Sequence, residues 1–414
     1  MESRQRCRVW VFGSLLLVFL PTVVASAQVT RRGRDLGIPL DGFPGPNNAI
    51  TDVAGVEVGQ TTLISGDGKL KVGKGPVRTG VTAILPRGKS SSDPVMAGWF
   101  TLNGNGEMTG TTWVEESGFL WGPVMLTNTL SVGLVRDAVI EWAIRRKYDE
   151  FRWALPIVAE TWDGGLNDIK GFHVRKEHVF QALDRAASGP VREGNVGGGT
   201  GMVCYQFKGG VGTSSRKLDE SAGGYTFGVL VQCNHGIRRR LSVAGVPVGM
   251  EIPDLLPCRA TAGPPTETWL RETPRCEAKD AGLAEPVPDE RRSIIVVVAT
   301  DAPLLPHQLK RLAKRVALGV GRMGGLGGDS SGDIFIAFST ANPGAAVDTG
   351  VVHLAMLPND RINPPFEATV QATEEAILNA MLGAETMTGA DGFRVYKLPG
   401  DRLVEVLRKH GRVE

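Results

Sequence analysis

The run Ser293-Ile294-Ile295-Val296-Val297-Val298-Ala299-Thr300 constrains the fold more than any other stretch of this 414-residue chain. An unbroken apolar segment rich in β-branched side chains belongs to a strand covered on both faces, because a strand with one wet face alternates apolar and polar residues. The preceding stretch, from Pro253 to Arg292, has the opposite character. Its composition shifts to Pro, Glu, Arg and Thr and sustains neither a helical nor a strand period, so it reads as an exposed, mobile segment. The chain therefore passes from surface to core at Ser293.

Further elements flank that strand. Leu305, Leu309, Leu312, Val316 and Val320 recur at helical spacing with Lys310, Arg311, Lys314 and Arg315 between them, which predicts an amphipathic helix. Asp333 to Ser339 reads as a second buried strand, and 367–383 as a helix. Between Asn48 and about Pro253, short apolar runs alternate with Gly/Asn/Thr turns, and helical patterns occur at about 130–148 and 176–187, a mixed α/β pattern. Glycine, at 54 residues, is about twice its usual share and falls in clusters, so tight turns and close backbone approaches are expected.

Lys+Arg 46 against Asp+Glu 44 leaves a net charge of +2, which argues against a large surface for nucleic acid or anionic lipid. A small molecule or a second copy of the chain is the expected partner. At the N-terminus Arg4, Arg6 and Arg8 precede an apolar run ending at Leu20, and Ala25-Ser26-Ala27 offers the small residues of a signal-peptidase site. The run breaks at Pro21, short of the ~20 residues of a spanning helix. Cleavage after Ala27 and a periplasmic or secreted location, with no membrane partner, are expected. In an oxidising compartment Cys258 and Cys276, flanking a Pro-rich loop, make a plausible disulfide, whereas Cys204 and Cys233 sit in strand-like runs and read as buried free thiols. No cysteine–histidine spacing suggests a metal, and no cofactor is expected.

Three chemistries fit parts of the sequence. Gly328-Asp329-Ser330-Ser331-Gly332 matches G-x-S-x-G, but a helix precedes it and a strand follows, the reverse of a nucleophile elbow. Gly194 to Gly201 could cradle a phosphate, yet it holds no complete nucleotide motif, and a tight turn packed on neighbouring backbone explains it better. The third reading begins at Ser293. If the bond before it were cut, that serine would carry its own base, because a free α-amine has a pKa of ~7.7–8.0 and can accept the hydroxyl proton.

The same segment, Ser293 to Leu304, resembles the start of the small subunit in the DmpA-type aminopeptidases, the P1 family of L-aminopeptidase/D-esterases and β-peptidyl aminopeptidases. The resemblance extends over nearly all of the chain after the leader. It includes Asn48 to Val56, Asn103 to Gly110, Leu126 to Thr129, Gly197 to Met202, Val231 to Gly236 and Ser331-Gly332-Asp333. It implies a four-layer αββα sandwich, and a precursor that cuts itself between Arg292 and Ser293 into a large subunit (28–292, with 253–292 an exposed linker) and a small one (293–414). The two subunits stay together and assemble into a homo-oligomer.

The resemblance also assigns roles. Ser293 is the nucleophile, with its new α-amine as base, and Asn234 stabilises the oxyanion. Ser331 and Asp333 are the hydroxyl–carboxylate pair beside the nucleophile. Glu160 grips the free amino group of a small peptide, amino-acid amide or ester, and Trp153 and Trp162 line the pocket. Arg292 stands where the family carries Gly or Asn, and Trp162 where some members carry Tyr. Arg291-Arg292 is also a dibasic site for a foreign protease. Two alternatives stay open: an uncleaved binding protein of the same fold, and an acyltransferase related to the ornithine acetyltransferases, which use Thr as nucleophile.

Overall fold

A computed structural model describes residues 31–148, 154–277 and 292–414. Its centre is β12 (Ile294–Thr300), every residue of which is buried. Ile295, Val297 and Ala299 point into one apolar layer, and Ile294, Val296 and Val298 into another. The unbroken run thus does what its composition requires, by serving two cores at once.

The first of those layers lies between two sheets. One sheet holds β1 (Glu57–Ser65), β2 (Val77–Leu85), β5 (Val124–Asn128) and β6 (Ile157–Thr161), in the order β1-β2-β5-β6. The other holds β3 (Val95–Thr101), β4 (Phe119–Leu120), β9 (Gly210–Lys217), β10 (Thr226–Cys233), β12 and β13 (Ile334–Ser339), in the order β4-β3-β13-β12-β10-β9. Between them Ile84, Val124 and Leu126 meet Val297, Ile336 and Phe338. β12 and β13 are parallel, so a crossover must join them; α5 (Pro306–Arg322) provides it.

Helices close both outer faces. α2 (Val132–Arg145) and α3 (Lys176–Asp184) pack Val139, Trp142 and Leu183 against Val81, Ala83 and Met125. On the other side α5, α6 (Asn363–Leu382) and α7 (Gly400–Lys409) bring Leu309, Ile377 and Leu403 to the layer that holds Val296 and Phe335. The result is the four-layer αββα sandwich. Short elements complete it: α1 (Thr111–Ser117), α4 (Val248–Glu251), the hairpin β7 (Val203–Cys204) and β8 (Phe207–Lys208), and a small sheet of β11 (Cys258–Arg259), β14 (Met387–Thr388) and β15 (Phe393–Val395).

The structure departs from the sequence reading in three places. α6 starts at Asn363, before the expected 367, because Pro364 and Pro365 occupy a first turn whose N–H groups need no partner within the helix. Residues 253–277 are not a bare linker: Cys258 bonds Cys276 as expected, but Leu270 is buried and β11 pairs with β15. Cys204 and Cys233 are bonded to each other rather than free, because the β7–β8 hairpin folds back onto the end of β10. The glycine turn, by contrast, packs as anticipated. A Cβ on Gly198 would fall 2.1 Å from Gln232 Oε1, and one on Gly199 would fall 2.3 Å from the Val211 nitrogen.

Candidate active site

Ser293 opens β12 and is 7% exposed. Its hydroxyl accepts a 2.9 Å hydrogen bond from the Gly332 N–H, and its carbonyl accepts one of 3.2 Å from the Asn234 N–H. Gly332 must be glycine for this approach, since a Cβ there would lie 2.5 Å from the Asn105 carbonyl oxygen. The peptide bond Arg292–Ser293 lies within this cluster of contacts. The carbonyl of half-buried Arg292 meets the Ser331 hydroxyl, and burial pushes the Arg292 guanidinium down to about 10.

Asp333 supports this end of the strand. Its Oδ1 accepts from Ser331 Oγ at 2.7 Å and from the Ile294 N–H at 3.1 Å, and its Oδ2 from Asn103 Nδ2 at 3.1 Å. Burial raises its pKa, and the three donors only partly oppose that. The Ser331 hydroxyl has one proton to share between the Asp333 carboxylate and the Arg292 carbonyl.

Asn234 follows the last residue of β10, the strand beside β12. Its Oδ1 accepts from the Val203 N–H at 2.8 Å, and its Nδ2 donates to the Trp162 carbonyl at 3.0 Å. One N–H of the amide is thus uncommitted among the described residues. The next residue, His235, is buried, and burial alone pushes it down to about 3, so it stays neutral. Cys204, Cys233 and His235 lie close enough to share a metal ion, but the two sulfurs are bonded to each other.

Glu160, 4% exposed, lies on β6 across the inter-sheet layer from β12. Its Oε1 accepts from the Glu107 N–H at 3.0 Å, and Thr129 Oγ1 donates to its Oε2. Burial raises its pKa against those two donors. Gly106 lies between the two halves: a Cβ there would be 3.0 Å from Gly332 Cα and 3.5 Å from Glu160 Oε1. Glu160 and the Ser293 cluster therefore flank the same glycine. Trp162, the residue after the end of β6, is 37% exposed. Trp153 lies outside the described residues, as does Arg291.

A buried pair lies behind Asn234. Lys208 Nζ donates to the carbonyls of Met202 and Gly209, both at 2.7 Å, and burial holds its pKa well below the usual lysine range. With a longer bond of 3.5 Å to the Gly199 carbonyl, these bonds fix the turn that presents the Val203 N–H to Asn234. Asp163 accepts from Asn167 Nδ2 at 3.0 Å, and burial pushes it up to about 7. Sequence reasoning gave no role to Asn103, Thr129, Asp163 or Lys208. Asn103 and Thr129 do fall within stretches that carry the family resemblance.

Comparison with known proteins identifies the fold and the family. The structure of an L-aminopeptidase D-Ala-esterase/amidase from Ochrobactrum anthropi, described there as a new variant of the Ntn-hydrolase fold, matches with a TM-score of 0.80. The two are 45% identical over 92% of this chain and 99% of that one. A Burkholderia sp. beta-aminopeptidase matches with a TM-score of 0.77 at 44% identity, over 92% and 99% of the two chains. The fold match thus places the chain among peptide hydrolases of the Ntn fold. The model of Peptidase family S58 matches residues 48–395, and the chain belongs to that family. A beta-peptidyl aminopeptidase from Sphingosinicella microcystinivorans is 55% identical over 97% of this chain and 98% of its own length. Another from Sphingosinicella xenopeptidilytica is 48% identical over 95% of each.

Proposed function

We propose that this aminopeptidase matures by cutting itself before Ser293, and then uses Ser293 to release small N-terminal residues from peptides, amides or esters. One observation carries the reading. On either side of a single peptide bond, the Arg292 carbonyl meets the Ser331 hydroxyl and the Ser293 hydroxyl meets the Gly332 N–H. In maturation Ser293 Oγ adds to the Arg292 carbonyl carbon, the C–N bond breaks, and the hydroxyl proton ends on the departing nitrogen. Water then hydrolyses the ester, leaving a carboxylate on Arg292 and a free amine on Ser293. Ser331 supplies the hydrogen bond to the oxyanion of this step.

In turnover the new α-amine, with a pKa of ~7.7–8.0, takes the Ser293 hydroxyl proton as Oγ attacks the first carbonyl of the substrate. Glu160 holds the substrate ammonium by a charge-assisted hydrogen bond, and the uncommitted Asn234 N–H receives the oxyanion. The amine leaves, and water hydrolyses the acyl-enzyme. The names of the two Sphingosinicella relatives support including N-terminal β-residues among those released. After cleavage β12 would still be flanked by β10 of the large subunit, which supports two chains that stay associated. Removal of 1–27 with export, and assembly into a homo-oligomer, belong to the same reading.

The test compares alanine amide with N-acetylalanine amide, using the parent and Ser293→Ala. The reading expects the parent to hydrolyse only the free amine and Ser293→Ala to hydrolyse neither. Comparable rates on both substrates would remove Glu160 from the site and indicate a broader amidase.

A further inference from the structure

The segment with no expected function carries an aromatic ring to the edge of the site. Trp269, from 253–277, lies edge-on to Trp162 with ring centroids 5.7 Å apart, and edge-on to Phe393 at 5.6 Å. Gly164 and Gly165 lie against these rings: a Cβ on Gly164 would fall 2.6 Å from Trp162, and one on Gly165 would fall 3.6 Å from Trp269. The ring is held from several directions. The Cys258–Cys276 bond closes its loop, the Asp391 carboxylate accepts from the Thr266 and Glu267 N–H groups at 2.7 and 3.3 Å, and buried Leu270 packs with Phe393. Despite that support Trp269 remains 39% exposed, beside a Trp162 exposed to a similar degree. Two braced indole rings that share an open face form a preorganised apolar surface, of the kind that marks a binding groove.

The direction of β6 locates that surface relative to the chemistry. The strand carries Glu160, which on the proposed reading receives the ammonium, and ends at Thr161, one residue before Trp162, whose carbonyl anchors the Asn234 amide. Glu160 therefore marks the amine end of a substrate's first residue and the Trp162 carbonyl, beside the Asn234 amide, its scissile end, where the Trp162 ring abuts that of Trp269. We propose that Trp269, with Trp162, forms a subsite for the leaving group and favours peptides whose second residue is aromatic or large and apolar. Trp269 is then a specificity-determining residue contributed by the disulfide-closed loop. The inference rests on the proposed aminopeptidase reading, because that reading orients the substrate.

The test uses Ala-Gly, Ala-Leu, Ala-Phe and alanine amide with the parent, Trp269→Ala and Trp269→Phe. kcat/KM includes every step through loss of the leaving group, so it reports the second residue. The parent is expected to prefer Ala-Phe to Ala-Gly, and Trp269→Ala to reduce that preference about tenfold, the scale of one apolar contact. Hydrolysis of alanine amide should be unchanged, and Trp269→Phe should restore most of the preference. Trp269→Gln takes the place of the alanine variant if that protein does not accumulate. An equal loss on all substrates, alanine amide included, would mean that Trp269 only stabilises the loop and would overturn the subsite. So would an unchanged Ala-Phe to Ala-Gly ratio. Failure of the parent to hydrolyse alanine amide would instead count against the aminopeptidase reading itself.

Discussion

At the residue scale, function rests on side chains whose roles come from contacts that span much of the chain. Asn234 should be separable from binding. An oxyanion donor is worth about 2.7–4 kcal/mol in a transition state, so Asn234→Ala should lower kcat by about 10²–10³ with little change in KM, measured on fully processed protein. Glu160 should govern the acid side of the pH profile. It must be ionised to hold an ammonium, and burial raises its pKa, so KM for free amines should begin to rise at a pH above the usual carboxylate range as acid is added. Glu160→Gln should raise KM at neutral pH and remove that limb, while self-cleavage at Ser293 proceeds, since maturation involves no substrate ammonium. A retained acid limb in the variant's KM profile would assign the titration to another group. Ser293 was legible because it stands where composition changes from polar to apolar. Asn103 and Thr129 were not: an asparagine in a glycine-rich turn and a threonine after a strand carry no local signal. Each acquires its role only by reaching Asp333 or Glu160.

At the scale of elements, strands buried on both faces were the most readable, because one chemical property, an unbroken apolar run, fixes both layers. Ile336 on β13 illustrates the energetic consequence. It is fully buried between the sheets, so Ile336→Ala should cost about 2–5 kcal/mol of stability, read from the denaturant midpoint at constant slope. The 253–277 segment was misread because its order does not come from an apolar period. A disulfide within the segment, a two-residue strand pairing with β15 and three hydrogen bonds to the Asp391 carboxylate hold it, the last two through partners distant in sequence. The Cys204–Cys233 bond escaped for the same reason, since only folding brings the hairpin back to the end of β10.

At the scale of the whole molecule, the site draws its Asn234 and Glu160 from one proposed subunit and its nucleophile from the other, so turnover on this reading requires the two to stay together. Burial of charge in that assembly has a pH signature. Asp163 has its pKa pushed up to about 7, above the ~3.9 of an unfolded chain. Between those values the folded state binds more protons than the unfolded one, so this group's contribution to stability falls as pH rises from about 4 to about 7. Asp163→Asn removes that dependence, and its stability relative to the parent should therefore rise across the same window in paired denaturant titrations.

Self-cleavage at Ser293 is the claim on which the rest depends, and the intact mass of purified protein under denaturing conditions tests it most directly. The parent should give two chains, 28–292 and 293–414, the second beginning at Ser293, while Ser293→Ala gives one. A single-chain parent that hydrolyses alanine amide, or a Ser293→Ala protein still cut before residue 293, would contradict it.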